Sequence, residues 1–431
     1  MLRGLLLLVF LLAPLLATAA EGDGQKTKQT VAMSQPVFEG LKKAQEQIEA
    51  KQYGAAQGEL KKLREKSDLS PYETAQIWNL TAYGYYLQEN YKQAIGAYLQ
   101  VLKQDGLPEA LEQSTLKTLS QLYFTVEDYA KALTVVDRLI AAIAEPSPDV
   151  LMLKGQAHFQ LEQYKQALAP IKSAIEKYRA QGKTPQENWL LLLRVSYFEL
   201  GDFKNMISVL KELITLYPKD QYLLTLAGVY SELGDTKKQL ALTEALYESG
   251  RLSDPSQVVN LANLYLVHNN PYKAAKLLDA ELGGRVEESE RNLRLLSQAW
   301  YQAREDEKAI PPLARAAKMS GDGELYLRLA QSYINLDRWA EAAEAVEQGL
   351  AKGGIKRVDT ANIMLGMALF NQRKLDAARK AFVAAASDKR SASAARQWIA
   401  FVDSEMTRDK TLDQTLPEQA QRKQDAILEN L

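Results

Sequence analysis

The sequence predicts an all-α protein, a right-handed α-solenoid of about ten helix–turn–helix units closed by a C-terminal capping helix. Three observations carry this. One pattern of apolar and small residues recurs through most of the 431 residues, at intervals of 33 to 39. Within each interval the apolar positions share a helical face. No run alternates apolar and polar residues between hairpin turns, so no strand pattern competes.

Taken in order, residues 1–20 read MLRGLLLLVFLLAPLLATAA. Arg3 supplies a short positive region, Leu5 to Leu16 an apolar run, and Ala17-Thr18-Ala19 a small-x-small cleavage site. This is the layout of a secretory signal peptide. An anchor would need about 20 apolar residues to span a bilayer, so no membrane insertion is expected after cleavage. Residues 21–35 are polar and aperiodic and are expected to be flexible.

Residues 36–390 hold the repeats, of which 75–108 is the clearest. Trp78, Ala82 and Tyr85 share one helical face; after the turn Gln88-Glu89-Asn90, Tyr91, Ala94, Tyr98 and Val101 share another. The residue just after each turn is a marker: Tyr53, Tyr91, Tyr129, Tyr164, Phe203, Thr236, Tyr272, Asp306, Trp339 and Leu375. Three residues on comes a small seam residue: Ala56, Ala94, Ala132, Ala167, Ala275, Ala309, Ala342 or Ala378; Met206 and Gln239 break the series. Six residues before the markers stand Tyr85, Tyr123, Tyr197, Tyr230, Trp300 and Tyr333. Close-contact positions hold Ala44, Ala82, Gly155, Ala227, Ala330 and Gly366. One turn, around Asn269-Asn270-Pro271, reads one residue longer. Pro170, Pro311 and Pro312 read as early second-helix residues, where a missing N–H costs little. Trp398, Ile399 and Val402 share a face in the expected capping helix, 391–406, and residues 407–431 are expected to form a flexible polar tail.

This texture resembles the tetratricopeptide repeat, a helix–turn–helix of 34 residues. In that family the first helices line a groove. The resemblance assigns one groove position to Tyr86, Phe124, Phe159, Phe198, Leu266, Tyr301, Ile334 and Phe370, and the position one turn back to Tyr83, Gln121, Gln156, Val195, Asn263, Gln298, Gln331 and Met367. Aromatic rings beside side-chain amides would hold a protein or peptide segment, the rings taking apolar side chains and the amides pairing with extended backbone. The competing reading is that the rings only pack between neighbouring first helices. No Lys/Arg row stands at these positions, which argues against capture of a chain-end carboxylate as in chaperone-binding members.

Chemistry is scarce. With no cysteine, disulfides, thiol catalysis and Cys-based metal sites are excluded. His158 and His268 are too far apart for an H-E-x-x-H motif, and neither phosphate-binding glycine signature occurs. His158 reads as a packed helix residue, His268 and Gly321-Asp322-Gly323 as loop. No catalytic residue, metal or cofactor is expected. A net charge of −1 gives no footprint for nucleic acid. The Cys-free body, together with an N-glycosylation sequon at Asn79 inside a predicted helix, favours the bacterial periplasm.

In layout the whole chain is similar to periplasmic tetratricopeptide proteins associated with TonB energy-transduction systems. That resemblance implies an adaptor of the TonB–ExbB–ExbD complex in iron–siderophore uptake. Alternatives are a scaffold for outer-membrane, exopolysaccharide or cell-wall assembly, or a degenerate periplasmic enzyme.

Overall fold

The computed structural model describes residues 33–429. The signal-peptide reading of residues 1–20, and residues 21–32 of the segment after it, lie outside the described residues. The chain divides into two compact units, one through Ser196 and one from Tyr197, with the boundary inside α9 (Glu187–Glu199). The first unit contains α1 (Gln35–Glu49), α2 (Tyr53–Arg64), α3 (Pro71–Leu87), α4 (Tyr91–Val101), α5 (Glu109–Thr125), α6 (Tyr129–Ala141), α7 (Pro148–Gln160) and α8 (Tyr164–Ala180). The second contains α10 (Phe203–Leu216), α11 (Asp220–Glu232), α12 (Thr236–Glu248), α13 (Pro255–Val267), α14 (Pro271–Glu281), α15 (Glu290–Gln302), α16 (Asp306–Met319), α17 (Glu324–Asn335), α18 (Trp339–Lys352), α19 (Val358–Asn371), α20 (Leu375–Ala385) and α21 (Ala392–Glu429). Odd numbers up to α19 are first helices, even numbers second helices. The described residues form no strand; a lone bridge between Leu282 and Val286 closes the turn after α14. The fold is an α-solenoid of helical hairpins.

The seam forms as the small residues dictate. Ala56, Ala94, Ala132 and Ala167 are fully buried in the first unit, and Ala275, Ala342 and Ala378 in the second. Met206 and Gln239, which break the series, are buried too. At Gly155 a Cβ would stand 2.4 Å from Ile171 Cγ1, and at Gly366 it would stand 2.6 Å from the Phe382 ring. Only glycine lets those helix pairs approach so closely.

The turns inside the hairpins share one construction. In each, the residue two before the second helix has positive φ: Lys51, Glu89, Glu127, Glu162, Asn269, Arg304, Asp337 and Arg373, with glycine only at Gly201 and Gly234. The following N–H reaches back to the carbonyl at the aromatic position, as in Asn90 to Tyr85 (3.0 Å), Asp128 to Tyr123 (2.9 Å) and Glu305 to Trp300 (3.0 Å). This is a Schellman closure of the first helix. Asn90, Asp128, Asp202 and Asp235 then cap the second helix, accepting from the backbone N–H three residues on. A cation folds back over the aromatic ring in several hairpins: Lys131 over Tyr123, Lys238 over Tyr230, Lys308 over Trp300, Arg338 over Tyr333, at 4.9–5.8 Å.

Nine of the ten marker residues begin a second helix. The exception corrects the sequence reading. The Asn269-Asn270 turn is no longer than the others; α14 starts at Pro271, whose fixed φ and missing N–H suit a first helical position, and Tyr272 is second. A second correction concerns Pro170, Pro311 and Pro312, which lie inside α8 and α16 rather than in their first turns. The carbonyls they leave without a helical donor belong to Gln166, Glu307 and Lys308, all three exposed residues.

Glu73 joins the first two hairpins. It forms a capping box with Ser70, and its other oxygen accepts from the Ser34 N–H (2.9 Å) and hydroxyl (2.6 Å). Burial works to raise the Glu73 carboxyl, but the hydrogen bonds from Ser34 and Ser70 outweigh it and hold it at about 2. Asn79, the sequon asparagine, is buried in α3.

The capping helix begins at Ala392, and Trp398, Ile399, Val402 and Met406 cover the end of the stack. It does not stop near residue 406: α21 runs to Glu429, through the stretch expected to be a flexible tail. Arg373 ties it down as far as Glu405 (2.9 Å) and Asp409. No described helix is long and apolar enough to cross a membrane.

Candidate functional site

The structure treats the predicted groove residues in different ways. In the first unit Tyr86, Phe124 and Phe159 are half-buried, and each ring meets the marker aromatic of its own hairpin: Tyr91 at 6.2 Å, Tyr129 at 5.8 Å, Tyr164 at 5.5 Å. Tyr86 and Phe124 also pack on the core between α3 and α6. These rings are braced against the second helix. Tyr83 is half-buried, and burial raises its hydroxyl pKa. Gln121 and Gln156 are half-buried, and among the described residues neither amide has a side-chain hydrogen bond.

In the second unit Phe198 is 52% exposed. Phe370 is absorbed into the cap, 6.0 Å from Trp398 and 5.2 Å from Phe401. Tyr301 differs from both. Its hairpin carries Asp306 at the marker position, so no aromatic braces it, and it stands 49% exposed.

Tyr301 lines a cavity of about 280 Å³ between α15, α16 and α17. Arg294, Ser297, Gln298 and Tyr301 fall on one face of α15 at helical spacing. Arg328, Gln331, Ser332 and Asn335 do the same on α17, while Ala309 and Leu313 of α16 supply apolar surface. The Ser297 hydroxyl donates to the Ala309 carbonyl (2.9 Å) and locks α15 on α16. Gln331 Nε2 donates to Asn335 Oδ1 (2.9 Å) and Arg294 to Glu290 (3.3 Å). Arg328 makes no ion pair among the described residues. The cavity wall contains no carboxylate.

Gln298, Gln331 and Tyr301 line one cavity. Arg294 and Arg328 line the same cavity and were missed; they stand outside the two predicted positions, which hold no row of cations. The signal was present one helical turn before the amide row, at i−4 from Gln298 and i−3 from Gln331. His158 Nδ1 lies 2.8 Å from Gln163 Oε1, a contact within its own hairpin, and His268 caps α13.

A stack of two-helix units with polar and aromatic side chains on its first helices defines a helical-repeat protein. Two sequence profiles of the tetratricopeptide repeat match, one at residues 41–107, 118–182 and 327–400, the other at 187–220. Together they span more than half of the chain, and it belongs to the tetratricopeptide-repeat family. Repeats of this family are protein-interaction scaffolds.

Solved structures match at low similarity. A tetratricopeptide repeat protein from Parabacteroides merdae is 16% identical (70% of this chain, 100% of that one, TM-score 0.36). YrrB, described as having an unusual peptide-binding site, is 16% identical (39% and 83%, TM-score 0.33). The TPR2AB domain of yeast Sti1, in its pHSP90 complex, is 16% identical (68% and 98%, TM-score 0.32). No curated protein matches.

Proposed function

We propose that this chain is a protein-interaction scaffold that holds an extended partner segment on the first-helix face of α15 and α17. One observation carries the reading: Tyr301 stands half-exposed, unbraced, over a cavity walled by the amides of Gln298, Gln331 and Asn335. An unpaired aromatic beside amides offers an anchor for a side chain and partners for a backbone. Tyr301→Ala should weaken capture of the native partner about thirtyfold, an anchor's typical 2 kcal/mol, with helical content unchanged. A photo-crosslinker at residue 301 should trap that partner. Full capture by a folded Tyr301→Ala protein would move the site elsewhere.

We further infer that the scaffold works in the periplasm as an accessory of a TonB–ExbB–ExbD system. The layout of residues 1–20, the Cys-free body and the resemblance of the whole chain support this. Crosslinking in the native periplasm, followed by identification of what is bound, tests it. A cytoplasmic location would end this reading while leaving the scaffold intact.

A further inference from the structure

We propose that Asp105 is a site of spontaneous isoaspartate formation that loosens the junction of α4 with α5, and that the fold protects the sister pair Asp322-Gly323 from the same reaction. The sequence holds three Asp-Gly pairs, at Asp23, Asp105 and Asp322. The first lies outside the described residues. In such a pair the glycine amide nitrogen attacks the Cγ of the aspartate in its acid form. An N–Cγ bond forms, and the proton on nitrogen and the carboxyl hydroxyl leave together as water, closing a five-membered succinimide. Water then adds to one of the two ring carbonyls and breaks its bond to nitrogen. Cleavage at Cγ restores aspartate. Cleavage at the backbone carbonyl carbon leaves the chain running through Cβ and Cγ, one carbon longer, with a free α-carboxylate. No oxidant, metal or enzyme is needed. Glycine favours the first step because it has no side chain to shield its nitrogen or restrict its backbone.

The reaction needs a carboxyl free of other bonds and an amide nitrogen free to swing onto it. Asp105 and Gly106 stand exposed in the turn between α4 and α5. Among the described residues the Asp105 carboxyl accepts no hydrogen bond and the Gly106 N–H donates none. A Cβ at Gly106 would meet nothing within 4 Å beyond its chain neighbours, so the backbone there has room to turn. Asp322-Gly323 is held at both ends of the bond to be made. Asp322 Oδ1 accepts from the Glu324 N–H (3.0 Å). The Gly323 N–H donates to the Gly353 carbonyl (2.8 Å). Gly323 is buried, and a Cβ there would stand 2.1 Å from the Gly349 carbonyl oxygen. A Cβ at Gly354 would stand 2.7 Å from Asp322 Cβ. Both residues of the pair are hemmed in, and the segment must open locally before the ring closes. The Asp105 turn joins the second and third hairpins, and Leu102 and Leu107 on either side of it pack on the core between α3 and α6. The extra backbone carbon falls between these two anchors, which is why isomerisation loosens the junction of α4 with α5. In a stack held by nearest-neighbour interfaces the damage stays there.

The full-length protein is aged in warm neutral buffer, once native and once in urea, and digested with trypsin. Peptides 104–117 and 319–328 report the two pairs. The succinimide is one water lighter than either acid, and electron-transfer fragmentation separates isoaspartate from aspartate at equal mass. The expected result is isoaspartate at least about tenfold faster at Asp105 than at Asp322 in the native protein, and comparable rates in urea, where the local opening no longer has to be made. Asp105→Glu keeps the charge but would need a six-membered ring, so it should stay intact on ageing. Asp105 is exposed, and the variant should keep wild-type circular dichroism. Hydrogen exchange in α4 and α5 should be faster in aged than in fresh wild type, with no such change in aged Asp105→Glu. Absence of isoaspartate at Asp105 in the native protein, whether or not it forms in urea, would overturn the proposal. Equal native rates at the two pairs would overturn the protection of Asp322. Unchanged exchange despite isoaspartate at Asp105 would overturn the loosened junction, and equal acceleration in aged Asp105→Glu would do the same by tracing it to other damage.

Discussion

A glycine inside a helix has opposite consequences at two places in this chain. Alanine is favoured over glycine in a helix by about 1 kcal/mol. At Gly228 in α11 a Cβ would meet nothing within 4 Å beyond its own stretch of helix, so Gly228→Ala should stabilise by about 0.5–1 kcal/mol. At Gly155 the new Cβ would lie 2.4 Å from Ile171 Cγ1 and 3.3 Å from the Ile171 backbone nitrogen. The first is near the root of a branched side chain and the second is backbone, so neither yields easily. Overpacking costs about 1–3 kcal/mol, which exceeds the propensity gain. Urea midpoints should therefore move up for Gly228→Ala and down for Gly155→Ala. Gly155 was legible because it sat where sister repeats carry alanine. Arg294 and Arg328 were not, because one repeat position says nothing about what a neighbouring helix brings to the same cavity.

The repeating unit is a hairpin whose turn is chemically tolerant and conformationally strict. Eight of the ten turns place a residue other than glycine in the left-handed region. That conformation costs a side-chain-bearing residue about 1–2 kcal/mol, and glycine returns about 0.5–1 kcal/mol of this as unfolded-state entropy. Glu127 is exposed, and among the described residues its carboxylate has no hydrogen bond or ion pair. Glu127→Gly should then stabilise by about 0.5–1 kcal/mol and raise the melting temperature by about 2 °C, while Glu127→Ala, which keeps a Cβ, should not. Differential scanning calorimetry of the pair checks this. The turns were legible in position because the marker aromatics and seam alanines bracket them. Their strain was not, since nothing in Lys51 or Arg373 announces positive φ. The length of α21 was hidden for a different reason. Periodicity signals a packed face, and residues 410–429 carry no apolar periodicity in the sequence, so nothing there announced a helix.

Within each unit the described helices pack chiefly against the next in sequence, with α1 also meeting α3 and α17 meeting α19. Stability in such a stack is close to a sum of hairpins and nearest-neighbour interfaces. A local defect should therefore stay local. Ala94 is fully buried where α3 and α4 meet, in a core that also takes residues from α5 and α6. Ala94→Leu inserts three carbons into that seam and should cost about 1–3 kcal/mol. The neighbours cannot relieve it cheaply, because Tyr98, Leu119 and Tyr123 already fill the same core. Hydrogen exchange followed by mass spectrometry should show faster exchange in α3 to α6, residues 71–141, with α15 to α20 unchanged. Uniform acceleration across all hairpins would mean that the stack unfolds as one cooperative body. Unchanged protection in α3 to α6 would mean that the seam has room the burial of Ala94 denies.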